Sequence, residues 1–380
     1  MSGGTDDGGG TGSLAGPRER LWQALHAGDE TRAVAVVRGA LGTDAATAAG
    51  MRAAAERILL GLIAPVQVRL GDAWAANEIT VAQEHAGTAI SERCVAAVAD
   101  TAAPALPGTT AGRVLVACVD GEWHALPARL VSEVLRLRGW RVDHLGAQVP
   151  TEHLIAHARY TRTRAVLLSL SVETLLPAAH NAISSCQGAG FPVIAGGPAF
   201  GPRGRYARQM RAEWAGDAPG AAALLAGEPR RPRGAQGVRP PEADLPHLAD
   251  EEYTMVRRVQ RQLVARAWAD VEESFPETRG YSRYQNERAA LGIDHLVTHL
   301  ATALYVDSAD LFARFTAWSA DILTARGVPP RCLLVALDSL VAQLKDFPRA
   351  FGIIDAARAV LGPPAGARDG RRTGPPPVAP

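Results

Sequence analysis

Glu122 and His124 stand two apart in the stretch DGEWHALPARLV, directly after the apolar run RVLVACV. A neutral imidazole binds a transition metal through one ring nitrogen, and a carboxylate on the other nitrogen fixes its tautomer and orientation. The pair therefore reads as a metal ligand, His124, with Glu122 to orient it. A second set lies upstream in GDAWAANEITVAQEHAGTAI, where Trp74 is followed by Glu84 and His85. In isolation these three read more plainly as a core indole and a solvated helix face. A third pair, His295 and His299 in DHLVTHL, is four apart and so shares one helix face. The sequence shows no Ser/His/Asp set, P-loop or HExxH motif.

The first pair is set by strands. RVLVACV, AVLLSLS and FPVIAGG are short continuous apolar runs, typical of strands buried on both faces, and WRVDHL fits as a further strand. Helical stretches near 127–139, 151–162 and 173–189 separate them, which implies a doubly wound, Rossmann-like parallel sheet over 110–228. Pro127 suits the first turn of a helix. The loop 120–126 then sits at the carboxyl end of the first strand. The third strand ends in Ser169-Leu170-Ser171 and the fourth in Gly196-Gly197-Pro198. All lie on one sheet edge, the edge where α/β proteins bind ligands. Small residues there are expected to leave a deep slot with His124 at its mouth.

Residues 17–105 are Ala-rich, with apolar positions recurring at three and four, and read as a four-helix bundle. Gly28 and Gly42 to Asp44 punctuate it, and Asn77 to Thr80 is a break. Residues 1–16 and 363–380 are Gly- or Pro-rich and expected to be disordered, and 229–245 reads as a Pro/Arg-rich linker. Residues 246–362 lack strand runs and form an all-α domain of five to seven helices.

Composition excludes little else. Lys plus Arg is 40 against 39 Asp plus Glu, which leaves no electrostatic footprint for nucleic acid or an anionic membrane. The four cysteines form no CxxC pair, so neither a disulfide framework nor a zinc site is expected. No signal peptide and no apolar run of membrane-spanning length are read, and the expected setting is cytoplasmic.

E-x-H in the first loop, S-x-S after the third strand and GG after the fourth together resemble the cobalamin-binding domain, whose usual loop is D-x-H-x-x-G. Here Glu122 stands for the Asp and Pro127 for the final Gly. The resemblance implies that His124 is the lower axial ligand of cobalt. It also implies that Gly121, Glu122, Ser169, Ser171, Gly196 and Gly197 line the cofactor site. Upstream of such a domain, W-x9-E-H resembles the helical cap of CarH-type light sensors. There, residues matching Trp74, Glu84 and His85 pack around the 5'-deoxyadenosyl group, so adenosylcobalamin is the implied cofactor. In those sensors a His follows the Trp and binds cobalt after photolysis. Here that residue is Ala75, and His85 is the nearest replacement. CarH-type repressors also carry an N-terminal helix-turn-helix domain, which this sequence does not show, so direct DNA binding is not expected.

The C-terminal block resembles globin-like sensor domains. The layout is similar to the photocobilins, which join a CarH-like half to a bilin-binding, globin-like half. That resemblance implies biliverdin or a similar linear tetrapyrrole as a second chromophore. The candidate residues are Arg283, Tyr284, Asp294, His295, His299, Tyr305 and Arg314, with Arg288, Phe312, Phe315 and Trp318 near the same cavity. Haem ligation by a histidine, or a plain packing interface, are the alternatives.

Three functions compete: a light sensor driven by Co–C photolysis, a corrinoid methyl carrier or adenosylcobalamin enzyme component, and a light-independent cobalamin sensor. The cap-like residues favour the first, a non-enzyme that signals to a protein partner. A homo-oligomer is compatible with the pattern.

Overall fold

The computed structural model describes residues 13–42, 46–109, 111–227, 229, 237–280 and 282–362. The expected tails therefore lie outside the described residues, except for 13–16, where helix α1 already begins. The chain divides into two compact units, the first built mainly from the helices up to Gly108 together with Arg136–Gly139, and the second mainly from Thr109 onward together with Ala75–Asn77.

The first unit is helical. It comprises α1 (Ala15–His26), α2 (Glu30–Leu41), α3 (Ala48–Ile58), α4 (Ala64–Ala75) and α5 (Val81–Ala102). A π-helical turn at Leu59–Ile63 joins α3 to α4 as one rod, so the five segments make the four rods of a bundle. Gly28 ends α1 at φ +68°, a conformation glycine adopts without strain. Asp29 accepts from Arg32 N–H to start α2, and Thr80 with Gln83 forms a capping box at the head of α5. The apolar positions that recur at three and four, such as Leu21, Leu25, Val37, Ile58, Leu62, Leu70 and Val98, are all buried.

The second unit opens with β1 (Arg113–Cys118), α6 (Ala125–Leu137), β2 (Arg141–Gly146), α7 (Thr151–Tyr160), β3 (Ala165–Ser169), α8 (Leu176–Gly188) and β4 (Val193–Gly196). It continues with α9 (Arg205–Gln209), β5 (Glu213–Ala215) and α10 (Ala218–Ala226). All pairings are parallel and the strand order is β2-β1-β3-β4-β5, as expected for a doubly wound sheet. β1 and β3 are central and buried on both faces, which explains their unbroken apolar runs. Each Val or Leu so buried stabilises by about 1.5–3 kcal/mol relative to exposure. β5 was not read from the sequence, because three residues, Glu-Trp-Ala, carry no run to detect.

The all-α block has five long helices: α11 (Glu252–Ser274), α12 (Arg283–Val306), α13 (Ala309–Ala325), α14 (Arg331–Gln343) and α15 (Pro348–Leu361). It shares one apolar core with the sheet, running from Leu115 and Leu168 through Ile183 to Leu300, Leu304 and Phe312. The junction is also polar. His180 on α8 is buried, with Nδ1 at 2.9 Å from the Tyr305 hydroxyl and Nε2 at 3.3 Å from Asp244 Oδ2. Tyr206 donates to Ser308 Oγ at 2.8 Å nearby. Asp244 belongs to the expected linker. Its described part is packed rather than a free tether, since Asp244 also meets Arg211 and Arg239.

Ala48–Ala75 and Gln285–Val306 are long and apolar enough to cross a membrane by length and composition, which corrects the expectation that no run reaches that length. In this structure their apolar windows are 39 % and 56 % buried. All four cysteines are free.

Candidate functional site

The strand order reverses between β1 and β3, and the helices that follow these strands, α6 and α8, pack into different apolar clusters. Glu122 lies in the loop after β1, fully buried. Its Oε1 accepts from the His124 N–H at 2.8 Å and lies 2.6 Å from His124 Nδ1. Its Oε2 accepts from the N–H groups of Ser171 at 2.6 Å and Val172 at 3.0 Å, in the loop after β3. Its backbone carbonyl accepts from Gln148 N–H at 3.1 Å, in the loop after β2. One residue thus ties three strand-end loops together.

Burial alone would raise the pKa of Glu122. The hydrogen bonds from the His124 ring and from the N–H groups of His124, Ser171 and Val172 outweigh it and hold the group at about 2. The carboxylate stays charged and accepts the Nδ1 proton, which fixes the orientation of the His124 ring. The imidazole is 61 % exposed while its partner is covered, so the loop presents a fixed ring to ligand.

The glycines do a different job from the one expected. Gly121 has φ +85° and a Cβ there would stand 3.2 Å from Leu175, so it shapes the turn. Gly197 has φ +108°, and a Cβ would fall 2.2 Å from the Leu170 carbonyl oxygen. It is glycine because two strand-end backbones meet there. Gly196 is less demanding, its nearest neighbour being the Ala215 carbonyl at 3.4 Å. Ser169 is buried at the end of β3 opposite Gly196, and Ser171 serves through its backbone.

In the helical unit, Trp74 ends α4 half-buried against Leu70, Ala73 and Ile79. Glu84 lies in the first turn of α5, with Oε2 2.8 Å from His85 Nδ1 and Oε1 accepting from Thr88 Oγ at 2.9 Å. Thr88 in turn accepts from Gln67 Nε2 at 2.6 Å. Gln67 stands two helical turns before Trp74, and Thr88 one turn after Glu84, so both share faces with residues read from the sequence. The sequence reading missed them because Gln and Thr carry no chemical signature by themselves. Val81, one turn before Glu84, is 54 % exposed.

The C-terminal candidates do not converge. Tyr305 is buried and directed at His180, and Arg314 pairs with Asp310 and, at 3.2 Å, with Glu173 after β3. Phe312 is core. Arg283 is exposed and pairs with Glu287, and Asp294 accepts from Gln260 at 2.7 Å. The Tyr284 side chain lies outside the described residues. His295, His299, Phe315 and Trp318 stay together. His299 Nδ1 donates to the His295 carbonyl at 2.8 Å, and its ring stacks on Phe315 with centroids 3.4 Å apart. Phe315 also meets Trp318. Burial pushes the His299 pKa down to about 4, so the ring is neutral at pH 7.

The described residues contain no cluster of three or more His, Cys, Asp or Glu able to hold a bare metal ion. A macrocycle that brings its own metal ligands would need only one from the protein, and His124 could offer it. Gln148 Nε2, in the loop after β2, is buried without a hydrogen-bond partner in the structure. Such an orphaned amide group suits a cofactor rimmed with carboxamides.

Residues 17–99 and 112–226 each match a family model described as a B12 binding domain. The HTH-type transcriptional repressor CarA of Myxococcus xanthus is 31 % identical over 186 residues, covering 47 % of this chain and 57 % of the relative. The chain thus spans little more than half of that relative's length. The relative's name gives the expected absence of DNA binding no support. Among solved structures, the monomethylamine corrinoid protein of Methanosarcina barkeri aligns at 18 % identity with TM-score 0.46, over 57 % of this chain and 99 % of that one. A cobalamin-binding protein from Desulfitobacterium hafniense DCB-2 aligns at 18 % identity with TM-score 0.32, over 55 % and 96 %. Residues 17–99 and 112–226 are therefore a pair of B12 binding domains, and the cofactor they imply is a cobalamin.

Proposed function

We propose that the chain is a light sensor, not an enzyme, that holds adenosylcobalamin on His124 and covers its upper ligand with Trp74, Glu84 and His85. The observation that carries this reading is the His124 ring, held through Nδ1 by a buried carboxylate that is charged at neutral pH and placed in the loop after β1. When bound, the cofactor supplies a Co–C bond that light can break. The chain's own residues do the rest. Glu122 orients the ligand, and Trp74 offers an apolar wall to the adenosyl group. The Glu84–His85 pair at the head of α5 senses whether that group is present. A ligand whose contacts differ between two arrangements suffices to shift their populations. The bilin expectation now rests on His299 and its Phe315 stack, because Tyr305 and Arg314 are committed elsewhere. The proposed setting is the cytoplasm.

The test is an absorption spectrum of the protein reconstituted in the dark with adenosylcobalamin and biliverdin, taken before and after green and then red light. A change in the cobalamin bands under green light, slowed or abolished in Trp74→Ala, supports the sensor. A separate red band supports bilin uptake. Cobalamin bands that survive illumination would give the lead to a methyl carrier or store.

A further inference from the structure

Beyond the end of β4, the loop Gly201-Pro202-Arg203-Gly204 leads into α9, and Pro202, Arg203, Arg205, Arg208 and Asp310 line a cavity of about 470 Å³. None of these three arginines has a carboxylate partner among the described residues. The one acid on the wall, Asp310, is taken by Arg314, which also reaches Glu173. Three uncompensated guanidinium groups around one concavity repel each other, and a folded chain holds them there only if other contacts fix them. Such contacts are present. Arg208 Nη2 donates to the Arg203 carbonyl, its guanidinium lies 5.8 Å from the Trp214 ring, and that of Arg205 lies 5.8 Å from the Tyr206 ring.

The loop itself is strained to make this arrangement. Gly201, Arg203 and Gly204 have φ of +73°, +54° and +67°. A Cβ at Gly204 would fall 2.0 Å from the Trp214 ring, so that position admits only glycine. Arg203 is the non-glycine residue of the three, held left-handed at a cost of about 1 kcal/mol or more. Such strain persists where the surroundings fix it and often marks a ligand clamp.

We propose that this cavity binds an oligophosphate group, free or as part of a nucleotide. Guanidinium forks match phosphate oxygens bidentately, and three of them balance several negative charges better than the single charge of a carboxylate. The volume lies in the range of small-molecule sites, well above the needs of a lone phosphate. None of the residues named on its wall belongs to the His124 loop, and the proposal does not rest on the light-sensor reading.

The experiment is calorimetric titration of the full, cobalamin-loaded chain with inorganic tripolyphosphate and with ATP. Its variants are Arg203→Gly, Arg205→Gln and Arg208→Gln. Glycine accepts φ +54° without strain, and the other two side chains are exposed, so folding and the cobalamin spectrum should stay unchanged. Binding of either anion, weakened about tenfold or more by each variant, is the expected result. The ratio of the two affinities then tells whether a nucleoside is also read. Three outcomes would overturn the proposal: no heat with either anion up to millimolar concentration, unchanged affinity in all three variants, or binding seen only when cobalamin is left out. A short DNA duplex that competes through these arginines would assign them to nucleic acid instead.

Discussion

Glu122→Gln keeps the shape of the side chain and removes its charge. The carboxylate is fully buried and receives four hydrogen bonds, from His124 N–H and Nδ1 on one oxygen and from Ser171 and Val172 N–H on the other. An amide offers one accepting oxygen and one donating nitrogen. If the oxygen stays on Ser171 and Val172, the nitrogen must face the His124 N–H, donor against donor. His124 Nδ1 must then become the acceptor, its proton moves to Nε2, and the lone pair needed for cobalt is gone. The energetic size follows in two ways. A shift from 4.5 to about 2 corresponds to about 3 kcal/mol of stability at neutral pH. Two lost charge-assisted hydrogen bonds at roughly 1.5–3 kcal/mol each give a similar figure. Because the folded pKa lies below the unfolded one, this contribution is fully present above pH 4.5 and is lost as pH falls toward 2. Urea unfolding should therefore place Glu122→Gln about 3 kcal/mol below wild type at pH 7, with the gap closing between pH 4.5 and 2. Equal stability at pH 7, or a gap independent of pH, would refute the carboxylate clamp.

Gly197→Ala should cost about 3 kcal/mol or more by urea unfolding, from left-handed strain and the approach to the Leu170 carbonyl, whereas Gly196→Ala costs less than about 1 kcal/mol. Equal costs would show that the backbone contact is not the constraint. Tyr305→Phe removes the hydroxyl from the buried His180 ring and should destabilise the chain by about 1–3 kcal/mol; a neutral result would mean that the contact is idle. His299 has its folded pKa lowered from 6.5 to about 4, so the unfolded chain takes up the proton first. Stability should fall as pH drops from 6.5 to 4 and level off below, by at most about 3 kcal/mol, and His299→Gln should flatten that slope.

Some of this structure is written locally in the chain and some is not. β1, β3 and β4 were legible because a strand buried on both faces must be apolar throughout, and the Glu122–His124 pairing was legible because two residues apart in a tight loop leaves the side chains within reach. Ser171 and Val172 were not legible as acceptors' partners, since backbone N–H groups look the same at every residue and only the meeting of two loops singles them out. Gly197 was read as making space. The structure shows it yielding to a backbone contact, which depends on how the β3 and β4 ends cross. Tyr305 illustrates the limit for helices. Periodicity puts it on a face, but not which neighbours that face meets, and these are His180 on α8 of the sheet domain and the Tyr253 ring on α11.

The axial nitrogen of bound cobalt is the most direct measurement. After reconstitution and reduction to cobalt(II), the electron paramagnetic resonance spectrum should show a three-line nitrogen splitting. The splitting should become two-line when the protein is labelled with ¹⁵N-histidine, and it should be lost or revert to three lines in His124→Ala. A splitting that stays three-line in the labelled wild-type protein would place the cofactor's own base on cobalt and contradict His124 as its ligand.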